Sequence, residues 1–177
     1  LAKSVLAGLL AAWFAGASQA AVYYSKKEAL ELAFGEQAQV EMLPLFLSEE
    51  DRAKIEQLAH VSLDSNLYTF YVGKRGDQVL GYAAIETHTV RTKPETLLVV
   101  LDAEGRLRQI EVLAFHEPPE YQPSPQWLAR LLSVPLEEMR LGGGVDGISG
   151  ATLSARAATD SVRKVLAIYR IAVAGGK

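Results

Sequence analysis

The stretch Gly142-Gly143-Gly144-Val145-Asp146-Gly147-Ile148-Ser149-Gly150-Ala151-Thr152-Leu153-Ser154 leads straight into a segment with helical apolar spacing. Ala158, Val162, Val165, Leu166, Tyr169 and Val173 recur at three- and four-residue steps, which puts them on one face of a long C-terminal helix. Glycine permits positive φ and lets the backbone come close to a ligand. The N–H groups that a helix start leaves free, together with the helix dipole, favour an anion there. A phosphate suits such a place.

The residue types alone leave more than one use open. An ordinary loop would cap the helix with Ser149 or Thr152. Gly147-Ile148-Ser149-Gly150-Ala151 comes close to the G-x-S-x-G nucleophile turn of α/β-hydrolases, which needs a histidine later in the chain. His60, His88 and His116 all precede it. Other triad orders keep that use open. A nucleotide P-loop is excluded, because no Lys-Ser or Lys-Thr follows the glycines.

Asp146-Gly147-Ile148-Ser149-Gly150-Ala151-Thr152 resembles the D-x-x-[ST]-G-A-T flavinylation motif of the FMN-binding domain family. That family includes the flavin subunits of the sodium-translocating NADH:quinone reductase and of the Rnf electron-transport complex. The resemblance implies FMN joined to Thr152 through a phosphoester, attached by a separate flavin transferase. It also implies that Asp146, Ser149, Gly150, Ala151 and Leu153 surround the attachment point.

The chemistry suits these residues. A threonine hydroxyl has no special acidity, and no evident base stands near it in sequence, which favours modification by an external enzyme over a self-activated nucleophile. The resulting phosphodiester keeps a negative charge at the helix start, where N–H groups and dipole stabilise it. Gly150 and Ala151 are small enough for close approach, and Ser149 can donate a hydrogen bond. The Asp146 carboxylate would repel a phosphate. It is expected to fix the turn or to be read by the transferase, directly or through a metal.

The 177 residues suffice for a single core, and a net charge of −3 gives no basic footprint for nucleic acid. The absence of cysteine excludes thiolate-bound iron–sulfur clusters, c-type haem and disulfides within this chain. Leu1 to Val22 carry Lys3 as their one charge, then an apolar run, then Ser18-Gln19-Ala20. This pattern predicts a signal peptide over 1–20, cleaved before Ala21, with an uncleaved N-terminal membrane anchor as the alternative. Either places residues 21–177 as one domain at the periplasmic or extracytoplasmic face of the membrane.

Ser25 to Phe34 reads as a helix with Ser25 and Glu28 as a capping box and Gly35 as its end. Ser48-Glu49-Glu50-Asp51 opens a second helix running toward His60. Leu67–Val72 and Val79–Glu86 read as a hairpin about a Gly73–Asp77 turn, and Leu97–Leu101 with Leu107–Leu113 as another. His88, among threonines, receives no role. Gln126–Leu132 reads as a short helix with Trp127 in the core. These elements predict an α+β domain, a twisted antiparallel sheet flanked by helices.

His116-Glu117-Pro118-Pro119-Glu120-Tyr121 follows the last strand, and its prolines stiffen the exit. The residues alone read as a rigid surface loop. The family has a His-x-Glu-Thr-Pro-Gly-like segment here, lying against the flavin ring. The resemblance therefore places His116 and Glu117 beside the ring, although Glu117 stands one position early and Thr-Pro-Gly is missing. It implies an exported carrier of covalent FMN that moves electrons between membrane or periplasmic redox partners. A flavin reductase acting on a small substrate and a flavin-binding module without electron transfer are the rival classes.

Overall fold

The structure is a computed structural model and describes residues 21–175. The expected leader or anchor, residues 1–20, lies outside the described residues. Among the described residues no helix is long and apolar enough to cross a membrane.

The run Leu97-Leu98-Val99-Val100-Leu101 organises the fold, and all five of its side chains are fully buried. An unbroken apolar strand needs cover on both faces, because successive side chains point to opposite sides. Leu97, Val99 and Leu101 enter one core, and Leu98 and Val100 enter the other. The strand carrying them sits inside a six-stranded sheet. In chain order the strands are β1 (Ala21–Val22), β2 (Gln39–Phe46), β3 (Leu67–Arg75), β4 (Gln78–Thr89), β5 (Pro94–Asp102) and β6 (Leu107–Phe115). Their spatial order is β1-β6-β5-β4-β3-β2, antiparallel throughout.

Among the described residues, four α-helices cover this sheet. On one face α1 (Lys26–Phe34) sets Ala29, Ala33 and Phe34 against Tyr71, Ala83, Leu98, Val100 and Leu113. On the other, α2 (Glu49–Ala59), α3 (Pro125–Leu131) and α4 (Thr152–Ile168) close the larger core. The predicted apolar face of α4 is the buried one, through Ala158, Val162 and Val165, and the chain continues as a π-turn over Tyr169–Ala174. Tyr169 there meets the Tyr82 ring edge-on at 4.9 Å between centroids.

One sequence expectation needs correction. The β3–β4 turn is tighter than Gly73–Asp77, because the strand runs on to Arg75 and only Gly76 and Asp77 turn. The edge strand β2 has no sequence forecast. Its Val40, Met42, Pro44 and Phe46 share one face and are all exposed, while Leu43 and Leu45 on the other face pack against the larger core. Pro44 is tolerated because an edge strand has one side that needs no donor.

Candidate functional site

The loop before α4 is held by its own backbone. Leu141 and Val145 form an isolated parallel bridge, and the Gly142 N–H donates to the Val145 carbonyl at 3.1 Å. The Gly144 N–H reaches the Glu138 carbonyl at 2.9 Å. Gly142 and Gly150 have φ of +75° and +77°, the left-handed region that glycine enters without strain. Val145 is buried and pegs the loop to the core. From α3, the buried Trp127 indole N–H donates to the Asp146 carbonyl at 2.8 Å. Asp146 therefore fixes the turn through its backbone. Its carboxylate is exposed and lies 4.0 Å from Arg130 Nη1, a surface pair of little energetic weight.

The helix that follows starts without a side-chain cap. Ala151 holds the cap position at φ −130°, ψ 39°. Neither expected cap forms: Ser149 lies two residues too early, and Thr152 is the first helical residue. The first helical hydrogen bond runs from the Ala155 N–H to the Ala151 carbonyl at 3.1 Å. Among the described residues, the N–H groups of Thr152, Leu153 and Ser154 have no protein acceptor. Three donors and the positive end of a seventeen-residue helix thus stay available.

A partly open cleft of about 140 Å³ lies alongside, below the roughly 300–1,000 Å³ usual for ligand sites, so a bound ligand would project beyond it. Gly150, Ala151, Leu153 and Ser154 form its α4 wall. Val90 and Arg91, from the turn between β4 and β5, form a second wall, and Glu117 with Tyr121 a third. Of the predicted residues, the structure brings Gly150, Ala151, Leu153 and Glu117 together on this lining. Thr152 and Ser149 are exposed beside it, and His116 and Asp146 do not line it.

Glu117 has work of its own. Its Oε1 accepts from the backbone N–H groups of Thr92 at 2.6 Å, Lys93 at 2.9 Å and Arg91 at 3.2 Å. These bonds, led by that of Thr92, hold its carboxyl below the usual glutamate range. The carboxylate thereby shapes the turn that presents Val90 and Arg91 to the cleft. His116 contributes through its backbone, whose N–H donates to the Pro94 carbonyl at 3.1 Å.

Sequence reasoning passed over Val90 and Arg91. Their signal was faint, a Val-Arg-Thr-Lys turn with two cations between β-rich runs. The hydrolase use of Ser149 finds no support among the described residues. Its exposed hydroxyl meets no histidine, and the one serine–histidine hydrogen bond joins Ser161 to His88.

A sequence model of the FMN-binding domain family matches residues 92–167. Residues 92–167 belong to the FMN-binding domain family. The matched segment of this FMN-binding domain runs from the β4–β5 turn through β5, β6, α3 and the glycine loop to near the end of α4. It holds most of the cleft, with Val90 and Arg91 just before it. No curated protein matches the chain.

The residues present fit FMN. The open N–H groups of the first turn of α4 suit the phosphate. Val90, Tyr121 and Leu153 offer apolar and aromatic surface for a flat ring, and Arg91 brings a positive charge to the same lining.

Proposed function

We propose that the chain is an exported flavoprotein that carries FMN through a phosphoester on Thr152. It passes electrons between redox partners at the extracytoplasmic face of the membrane. One observation carries this reading: an exposed threonine hydroxyl on the uncapped first turn of α4, next to three unclaimed N–H donors and an open cleft. FMN, when bound, supplies the redox chemistry, and the chain supplies binding, orientation and electrostatics.

Each part of the site has a task in this reading. Thr152 provides the attachment oxygen, and the N–H groups of residues 152–154 take up the phosphate charge. Gly150 and Ala151 keep the approach open. Val90, Tyr121 and Leu153 exclude water from the ring, and Glu117 keeps the Arg91 turn in place. Among the described residues no side chain hydrogen-bonds to the Thr152 hydroxyl. Attachment therefore falls to a flavin transferase acting on an exposed loop. With no cysteine in the chain, electrons enter from one partner and leave to another.

The test is coexpression with a flavin transferase, then denaturing gel fluorescence and peptide mass spectrometry. Wild type gives a fluorescent band with FMN on the peptide containing Thr152. FMN on another residue, or complete release on denaturation, removes the covalent linkage. Wild type that never acquires flavin removes the assignment. Export is read separately by N-terminal sequencing of the membrane-associated protein, where cleavage leaves Ala21 first.

A further inference from the structure

Polar groups line the interface between α4 and the sheet, where an apolar seam is the rule. On β4, Glu86 and His88 both face α4. Glu86 pairs with Lys164, both side chains nearly buried. Burial pushes the Glu86 carboxyl up, and Lys164 pulls it back. His88 is held from two sides. Its Nδ1 lies 2.7 Å from Ser161 Oγ, and its Nε2 lies 2.9 Å from Glu95 Oε2. Glu95 is fully buried, and among the described residues its Oε1 has no hydrogen-bond partner. Leaving a buried carboxylate oxygen unpaired is costly, and such a group calls for an explanation.

The serine–imidazole–carboxylate order resembles a hydrolytic triad, but Ser161 lies in the middle of α4. The N–H groups around it are committed to the helix, so no donors remain for an oxyanion. The placement of the pair fits proton exchange better. His88 and Glu95 face each other across β4 and β5. Two and three residues beyond His88, just past the end of β4, come Val90 and Arg91, which wall the flavin cleft. His88 also lines a second, open cleft of about 220 Å³, together with Ser62, Asp160, Ser161 and Lys164. An imidazole held between a hydroxyl and a carboxylate can take a proton at one ring nitrogen and give one up at the other.

We propose that His88 and Glu95 form the proton-uptake site coupled to reduction of the flavin, with Ser161 and the second cleft as its path to water. This rests on the FMN reading of the neighbouring cleft. An electron reaching that cleft adds one negative charge, and a proton from water then binds to the His88–Glu95 pair. On reoxidation it returns by the same route. Only N–H and O–H bonds form and break. The charged groups facing the pair are Glu86 on β4, and Asp160 and Lys164 on α4. Asp64, on the loop before β3, acts on Glu86.

The test uses the full chain loaded with FMN and reduced at an electrode through a viologen mediator in weakly buffered solution, with a pH indicator reporting protons taken up between pH 5 and 8. Uptake by the flavin itself is common to all variants. His88→Gln and Glu95→Gln lose the additional uptake seen in wild type, Ser161→Ala slows it, and His60→Gln changes nothing. In parallel, nitrogen-15 spectra of histidine-labelled wild type show the His88 ring signals moving with the redox state while those of His60 stay. That spectrum decides the matter even if the His88 variant does not fold. Equal uptake in wild type and His88→Gln, or His88 signals indifferent to the redox state, overturns the proposal and leaves the FMN reading standing. A chain that acquires no FMN overturns both.

Discussion

Three helices of this domain begin one way and the fourth another. Ser25, Ser48 and Ser124 sit at their cap positions with ψ of 164°, 161° and 153°. Their hydroxyls accept from the N–H groups of Glu28, Asp51 and Trp127 at 3.3, 3.0 and 3.2 Å. For α1 the Glu28 carboxylate completes the box by accepting from the Ser25 N–H at 2.7 Å. At α4, the longest of the four, Ala151 replaces the serine and ψ is 39°. The difference separates two uses of a helix start. Where the helix only packs, the chain satisfies its own donors; where the family match and the cleft converge, it leaves them to a ligand.

The largest effect that tests this contrast is Thr152→Ala. All covalent flavin disappears from denaturing gels, while chemical denaturation shows stability within about 0.5 kcal/mol of wild type. The residue is exposed and caps nothing, so its loss costs the fold little. A large loss of stability would mean that this turn is structural after all. Ser48→Ala is the mirror experiment. Removing a working cap costs about 1 kcal/mol, read as a fall of roughly 2–4 °C in Tm for a domain of this size. FMN loading should not change.

Glu117 gives an intermediate case, a side chain that satisfies backbone donors from a distant segment. Its pKa lies below the ordinary glutamate value, first through the Thr92 N–H and then the Lys93 N–H. The fold therefore favours the charged form. Its contribution is complete above the ordinary value of about 4.3 and is lost as pH falls through the lower value of the folded state. The expected outcome is local: amide exchange at Thr92 and Lys93 accelerates below about pH 4, ahead of the core strands. Glu117→Gln reproduces the acceleration at neutral pH. Unchanged exchange in both experiments would separate this carboxylate from the shape of the cleft.

What the sequence made legible follows the range of the interaction. The Ser25–Glu28 box, the acidic start of α2 and the apolar face of α4 are local patterns, and each appears where expected. The Leu97–Leu101 run read as one arm of a hairpin, and the structure buries it on both faces. β2 stayed hidden because apolar residues occupy both of its faces, Leu43 and Leu45 toward the core and Met42 and Phe46 toward solvent. The site divides the same way. The loop to Thr152 was readable as a contiguous motif, whereas Arg91 reaches the cleft through the β4–β5 turn. His88 met Ser161 across 73 residues of sequence, a contact set by strand register and by the seating of α4.

The smallest expected effect is also the sharpest on the cause of the contrast. If α4 lacks a cap only because alanine has no hydroxyl, Ala151→Ser should stabilise the domain by about 1 kcal/mol. The backbone argues otherwise. A capping hydroxyl reaches the third N–H because the cap residue is extended, as at the three serines, and ψ of 39° turns the side chain away from that position. Ala151 is also buried on the cleft lining, so an added hydroxyl has little room to reorient. The expected change in stability is below about 0.5 kcal/mol, measured by urea denaturation against Ser48→Ala as the scale. A gain near 1 kcal/mol would show that the turn relaxes into cap geometry when given a hydroxyl. FMN loading would then decide between the two occupants, since a serine bonded to the Ser154 N–H removes one of the three donors proposed for the phosphate.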